Sequence, residues 1–391
     1  MNNMKKILVM PDGNWLSHVS RPFEIAKVLR EMGHNVIFAS DCYYMKLPRE
    51  AGFKVFPIKT ISPDHVLFVS RSGRLNWYSY SFLKECVEED LKLFSNLKPD
   101  LVLGDFRLSL STSCELANIP LAVTLNASWT NYYDYKIKWR DILRIRSLLW
   151  IFILTFDSTP YRKLRKDLGL DPRANIWEIW RGDLNLIVDI PDYGPTKNLP
   201  PNFHYIGPVI WEPEIDVPDW FERIDPEKPT IYFTMGSTGY EQFFEQAVEI
   251  FKDSKYQCIM TTAGMANLSC IPENFFVTDY APGSKIMEKS DVVVCQGGNG
   301  TIYQAMSRGL PIIGLPTMLD QVTNLNRVVD LGIGVYLNTH KFKQYQLVKA
   351  VEKVLSDKRY KENSHKYRKI LERYNAPKKG AELIDFYLNQ R

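Results

Sequence analysis

At 391 residues the chain exceeds one ordinary core and fits two domains of common size. A hydrophobic content of 45% with 24% charged residues is that of a soluble globular protein, and a net charge of +4 without a long basic run argues against a nucleic-acid-binding surface. Cys42, Cys86, Cys114, Cys258, Cys270 and Cys295 are scattered with no CxxC pair, which argues against a disulfide framework and a zinc site and makes a reducing cytoplasm the simplest compartment.

In chain order, MNNMKKILVMPDGNW opens with a charge and an apolar run too short for a signal peptide or a spanning helix. Short β-branched runs then alternate with segments of helical period, the pattern of parallel strands joined by crossover helices. Strands are expected at Lys6–Met10, Asn35–Ala39, Lys54–Pro57, Leu101–Gly104, Leu121–Leu125 and Leu186–Asp189. The clearest helix is Pro22–Met32, where Phe23, Ala26, Leu29 and Met32 share a face and Gly33 supplies a left-handed stop. The most apolar window, Ser147–Phe156, falls short of the roughly 20 residues needed to cross a bilayer, so it reads as a buried helix or pocket wall, with membrane-surface contact the second reading.

Five prolines and several acids between Ile206 and Pro229 suit an extended linker. Beyond it strands are expected at Thr230–Thr234, Gln257–Met260, Phe275–Thr278, Asp291–Cys295 and Pro311–Leu315. The expected fold is α/β, two doubly wound Rossmann-like domains facing a central cleft: residues 1–207, a linker over 208–229, residues 230–375, and a helix over 376–391 that docks or returns to the first domain. In such sheets ligands bind at the carboxyl ends of the strands.

VVVCQGGNGTIYQ, Val292 to Gln304, reads as strand, glycine turn and helix. Glycines let a ligand approach the backbone, and the amides of Gly300, Thr301 and Ile302 at the helix start would suit a diphosphate. The pattern is neither GxGxxG nor a P-loop, and a tight structural turn is the competing reading. After the next strand, LPTMLDQVTN places Asp320, Gln321 and Asn324 in one loop, suited to vicinal hydroxyls or to nothing beyond solvation.

Taken together, Asp279–Gly334, the SHVSRP loop, LRKDLGL, YIGPV and FTMGST resemble family 1 GT-B-fold glycosyltransferases, above all the bacterial macrolide-glycosyltransferase branch, and the resemblance spans most of the chain. It implies an inverting, metal-independent hexosyltransferase that moves a sugar from a UDP- or dTDP-sugar to a hydroxyl of a hydrophobic or aromatic acceptor. The nucleotide sugar is then a co-substrate, so no cofactor is called for. Thr301 with Gly298, Asn299 and Gly300 would hold the phosphates, joined by Ser237; Asp320 and Gln321 would hold the donor sugar; Tyr280 would stack on the base, a contact worth roughly 1–3 kcal/mol.

Two positions depart from the family. Gln296 stands where a histidine usually touches a diphosphate oxygen, and Gln304 where a glutamate usually accepts from both ribose hydroxyls. Neutral hydrogen bonds contribute about 0.5–1.5 kcal/mol against about 1.5–3 for charged ones, so weaker donor binding is expected. A carboxylate at 304 has less to do on a deoxyribose, which favours a dTDP-sugar.

Inversion requires a base for the acceptor proton, and a histidine oriented by a carboxylate suits it. His18, expected in the turn after the first strand, and Asp105, directly after PDLVLG, match the family's catalytic pair; loop packing and helix capping are the alternative roles. The aromatic-rich first domain, from NASWTNYYDYKIKW onward, would supply the pocket for a small-molecule or lipid acceptor. A non-catalytic GT-B homologue acting as partner of an active glycosyltransferase is the second hypothesis.

Overall fold

In the computed structural model the described residues are 4–62, 65, 78–134, 159–173, 176–236, 240–266, 268, 270–339 and 342–391. Ser237, the apolar window at 147–156 and the aromatic positions 135–139 lie outside them. The chain divides into two compact units, Met1–Val209 with Asn375–Arg391, and Ile210–Tyr374.

The first unit runs β1 (Lys6–Pro11), α1 (Leu16–Glu31), β2 (Asn35–Ala39), α2 (Lys46–Glu50), β3 (Lys54–Phe56), α3 (Tyr80–Leu97), β4 (Leu101–Asp105), α4 (Leu110–Ala117), β5 (Leu121–Leu125), α5 (Thr159–Asp167), β6 (Leu184–Ile187) and β7 (Phe203–Tyr205). Its seven parallel strands lie in the order β3-β2-β1-β4-β5-β6-β7. Every residue of β4 and β5 is buried, as in a sheet covered on both faces, and this is why LVLGD and LAVTL read as continuous apolar runs with little alternation.

The second unit runs β8 (Thr230–Thr234), α6 (Gln242–Phe251), β9 (Gln257–Thr261), β10 (Phe275–Thr278), α7 (Gly283–Glu288), β11 (Val292–Cys295), α8 (Asn299–Arg308), β12 (Ile312–Gly314), α9 (Leu319–Asp330), β13 (Gly334–Tyr336), α10 (Gln344–Ser356) and α11 (Lys358–Leu371). Its six parallel strands follow β10-β9-β8-β11-β12-β13. Phe233, Phe244, Phe251, Val294 and Ile313 build its core. The final helix, α12 (Ala376–Asn389), returns to the first unit, where Gly380 lets it lie close to Ile25 of α1 and Ile206. There His34 Nε2 lies 3.2 Å from Asp385 Oδ1 of the helix.

The proline-rich passage expected as a linker is packed into the second unit. Phe221 and Ile224 are buried, Trp220 Nε1 donates to the Val277 carbonyl at 3.2 Å, and the Asp225 amide donates to Gln257 at 3.0 Å. Prolines limit regular structure there to one helical turn, Phe221–Arg223, but the apolar residues between them still have a surface to cover.

In both sheets the strand order reverses at one point, between β1 and β4 in the first and between β8 and β11 in the second. At such a reversal the loops leave on opposite faces and open a crevice at the strand ends.

Candidate functional site

The first crevice holds His18 and Asp105. Asp105 ends β4, paired with Pro11 of β1, and the Asp12 amide donates to its carbonyl at 2.9 Å. The helix after β1 begins at Leu16, so His18 lies in its first turn, not in the preceding loop, and Pro22 falls inside the helix. Proline was expected at the helix start because it lacks an amide. Here the turn before it is held instead by side chains: His18 and Arg21, three apart and on one face, both reach Asp105.

Asp105 is fully buried and accepts four hydrogen bonds. His18 Nδ1 lies 2.6 Å from Oδ1, Arg21 Nη2 donates to Oδ1 at 2.7 Å, Arg21 Nε donates to Oδ2 at 2.9 Å, and the Thr124 hydroxyl donates to Oδ2. Nδ1 faces an acceptor, Asp105, at 2.6 Å and a donor, Arg21 Nη2, at 2.8 Å; a proton on Nδ1 serves the shorter contact with the carboxylate, and that tautomer leaves a lone pair on Nε2. Burial pushes the His18 imidazole below its ordinary pKa; Asp105 opposes that shift and the Arg21 charge adds to it.

The network continues outward from Arg21. Its Nη1 donates to Asn126 Oδ1 at 2.8 Å, Asn126 Nδ2 donates to Asp189 Oδ1 at 3.1 Å, and the Ala127 amide donates to Asp189 Oδ2 at 2.7 Å. The ends of β1, β4, β5 and β6 are thus joined beneath the imidazole. Arg21, Thr124, Asn126 and Asp189 were not anticipated from the sequence. A buried arginine in SHVSRP and polar residues ending two apolar strands were the signals available. Asp12, also buried, has its carboxyl pushed up to about 7 by desolvation.

In the second unit the glycine turn follows β11 as expected. Gly297 has φ +96°, and a Cβ there would lie 2.7 Å from Leu325, so backbone conformation and close packing both demand glycine. Gly298 caps α8, which begins at Asn299. Ile302, expected to present its amide, instead donates it to the Gly298 carbonyl at 3.1 Å, which leaves Gly300 and Thr301 in the first turn, where helix geometry provides no intrahelical acceptor. Asn324 Nδ2 donates to the Gly297 carbonyl at 3.0 Å and ties α9 to the turn.

Gln296 is buried against Gly236, at the end of β8, and its Oε1 has no partner among the described residues. Asp320 is exposed in the first turn of α9. Gln321 beside it is buried, and its Oε1 accepts from the Thr317 amide at 2.7 Å and the Met318 amide at 3.1 Å, so its carbonyl oxygen is engaged in shaping the loop. Tyr280 is 63% exposed, with its hydroxyl donating to the Ala263 carbonyl at 3.3 Å. Gln304 is turned to the backbone of its own unit, its Nε2 donating to the Trp211 carbonyl at 3.3 Å. A glutamate could not make that bond.

Residues 252–383 match the family model described as "Erythromycin biosynthesis protein CIII-like, C-terminal domain". Over 373 residues the chain is 34% identical to the PGL/p-HBAD biosynthesis glycosyltransferase of Mycobacterium tuberculosis, an alignment covering 92% of this chain and 86% of that protein. Its fold is that of the glycotransferase of kitacinnamycin, with a TM-score of 0.79 at 19% identity over 98% of this chain and 99% of the other. It is also that of the spinosyn rhamnosyltransferase SpnG, solved complexed with thymidine diphosphate, with a TM-score of 0.73 at 16% identity over 98% and 100%. By these likenesses and its two parallel α/β sheets, the chain belongs to the family 1 GT-B-fold glycosyltransferases, in their macrolide branch.

Proposed function

We propose that the protein is an inverting glycosyltransferase in which His18 takes the proton of an acceptor hydroxyl as that oxygen attacks the anomeric carbon of a nucleotide sugar. One observation carries this reading: the 2.6 Å contact between His18 Nδ1 and Asp105, which favours a proton on Nδ1 and a lone pair on Nε2. When the imidazole accepts a proton its new charge lies beside Asp105, so the carboxylate stabilises the state that forms during the reaction. The attacking oxygen becomes a better nucleophile at the moment the bond to the nucleotide breaks.

The nucleoside diphosphate leaves as an anion. The first-turn amides of α8 at Gly300 and Thr301, with the positive end of that helix, suit its phosphates, and no metal ion is required by that arrangement. Exposed Tyr280 suits stacking on the base, and exposed Asp320 suits hydroxyls of the sugar. Thymidine diphosphate in the spinosyn enzyme of the same fold supports a dTDP-sugar, with a UDP-sugar the second donor. The acceptor is a hydrophobic or aromatic small molecule or lipid, in keeping with the relative whose name assigns it to PGL/p-HBAD biosynthesis.

The test is His18→Ala in the full chain. The expected result is at least a 100-fold fall in turnover with dTDP or UDP binding retained, in line with the roughly 10²–10⁴-fold typical of general-base catalysis. Undiminished turnover in that variant would remove His18 from the mechanism. Loss of nucleotide binding by the unaltered protein would favour a non-catalytic partner instead.

A further inference from the structure

Phe106 follows Asp105 directly and occupies the left-handed region, with φ +59°. Glycine is at home there; a bulky aromatic residue is not, and such outliers persist only where their surroundings over-determine them. In an extended strand successive side chains point to opposite faces. Asp105 and Phe106 do not obey that alternation, because both reach the same imidazole: the carboxylate bonds its Nδ1, and the Phe106 ring lies on its face with centroids 4.8 Å apart and planes 26° apart. The left-handed residue is what turns the second side chain back toward the first.

The other side of the Phe106 ring is held as firmly. Trp180 stacks on it at 5.2 Å and 19°, Trp129 meets it edge-on at 5.4 Å and 74°, and the two tryptophans meet each other at 4.9 Å. His18, Phe106 and Trp180 therefore form a continuous stack. A hydrogen bond to Nδ1 fixes one point of the imidazole but leaves the ring free to rotate about that bond, whereas a ring on its face fixes the plane.

We propose that Phe106 is a positioning residue, held in a left-handed conformation so that its ring sets the plane of the His18 imidazole and keeps water from one of its faces. The proposal rests on the reading of His18 as the base. Its consequence is that Nε2 points in one direction before any acceptor arrives. The charged groups on His18 are Asp105 from β4 and Arg21 from its own helix; Phe106 contributes only contact and exclusion of water.

The test is nuclear magnetic resonance of the full chain labelled at histidine nitrogen, with the His18 signals identified by their loss in His18→Ala. Phe106→Gly suits the backbone and removes the ring. It is expected to keep its fold and dTDP affinity, to raise the His18 titration midpoint toward the ordinary histidine value, and to increase the rate of diethyl pyrocarbonate attack on His18 at least 3-fold. Phe106→Tyr is expected to restore both. Phe106→Leu keeps bulk without the ring and should follow the glycine variant, which covers a glycine variant too unstable to study. An unchanged midpoint and attack rate in the glycine or leucine variant would overturn the proposal, as would a tyrosine variant no better than leucine. These readings need no turnover, so they separate a failure of Phe106 from a failure of His18 as base.

Discussion

Arg21 and Asp105 meet as a bidentate pair, Nε to Oδ2 at 2.9 Å and Nη2 to Oδ1 at 2.7 Å, with both residues buried. A planar guanidinium matches a carboxylate in this way where an ammonium cannot. Removing the arginine leaves a buried carboxylate with two fewer donors. Arg21→Ala should therefore lower the unfolding free energy by about 3–5 kcal/mol, measured by urea titration, and Arg21→Lys should recover only part of it. The double variant Arg21→Met with Asp105→Asn should be more stable than Arg21→Ala, since no charge is then stranded. Equal stability of Arg21→Ala and the unaltered chain would show that the pair is not a structural element.

Much of this arrangement was legible in the sequence, for identifiable reasons. Parallel strands such as LVLG and VVVC are apolar throughout, and glycines mark the turn at Gly297, so strand ends could be located and with them Asp105 and the glycine turn. The short edge strands Phe203–Tyr205 and Gly334–Tyr336 were missed, although the equally short Lys54–Phe56 and Ile312–Gly314 were found. The start of α1 was misplaced because Pro22 has the chemistry of a first-turn residue, whereas the helix is set by contacts of His18 and Arg21 to a strand 84 and more residues away in sequence. Arg21, Thr124, Asn126 and Asp189 meet only through strand order, which no local pattern encodes. The roles of Gln304 and Gln321 depend on which backbone groups stand opposite them, information of the same kind.

Asp105→Asn keeps the volume of the side chain and its place among Arg21, Thr124 and His18. It replaces one acceptor oxygen with a donor nitrogen, so the His18 Nδ1 proton loses its anionic partner and the opposite tautomer becomes competitive. Turnover should fall by about 10²–10⁴-fold, with the Michaelis constant for the donor changed less than 3-fold, because the glycine turn proposed for the donor phosphates lies on a different sheet. A variant that lost donor affinity but kept turnover would assign Asp105 to structure alone.

Two buried groups of the first unit respond to pH with opposite signs. His18 has its pKa lowered in the folded chain, chiefly by burial, so the unfolded chain binds more protons in the window between that value and the ordinary 6.5, and stability is lost as pH falls through it. The Asp12 carboxyl is raised from 3.8 to about 7, so between those values the folded chain binds more protons and stability is lost as pH rises. Asp12→Asn, which keeps the shape beside Asn14, removes the second contribution. Relative to the unaltered chain it should gain stability progressively from pH 4 to pH 7 in urea titrations. In the turnover profile, the acid limb should lie below the ordinary histidine value, because His18 acts as a base only when neutral. An acid limb above 6.5 would contradict the burial argument.

Gln304 donates to the Trp211 carbonyl and so links α8 to the first residues of its unit. A carboxylate in its place would lose the donor and face a carbonyl oxygen, so Gln304→Glu should destabilise the chain by about 1–3 kcal/mol. The same tie orients the amide away from the role that a glutamate has in the family, accepting from both ribose hydroxyls. With no carboxylate there to reward a 2'-hydroxyl, dTDP should stabilise the unaltered protein against heat at least as strongly as UDP does. At 100 times the dissociation constant either nucleotide should add about 2.7 kcal/mol, a shift that is easily read in a melting curve. In Gln304→Glu the order should move toward UDP, since a ribose offers the carboxylate one more hydroxyl than a deoxyribose does. A strong preference of the unaltered chain for UDP would show that another residue reads the ribose, and that Gln304 serves only to hold α8 in place.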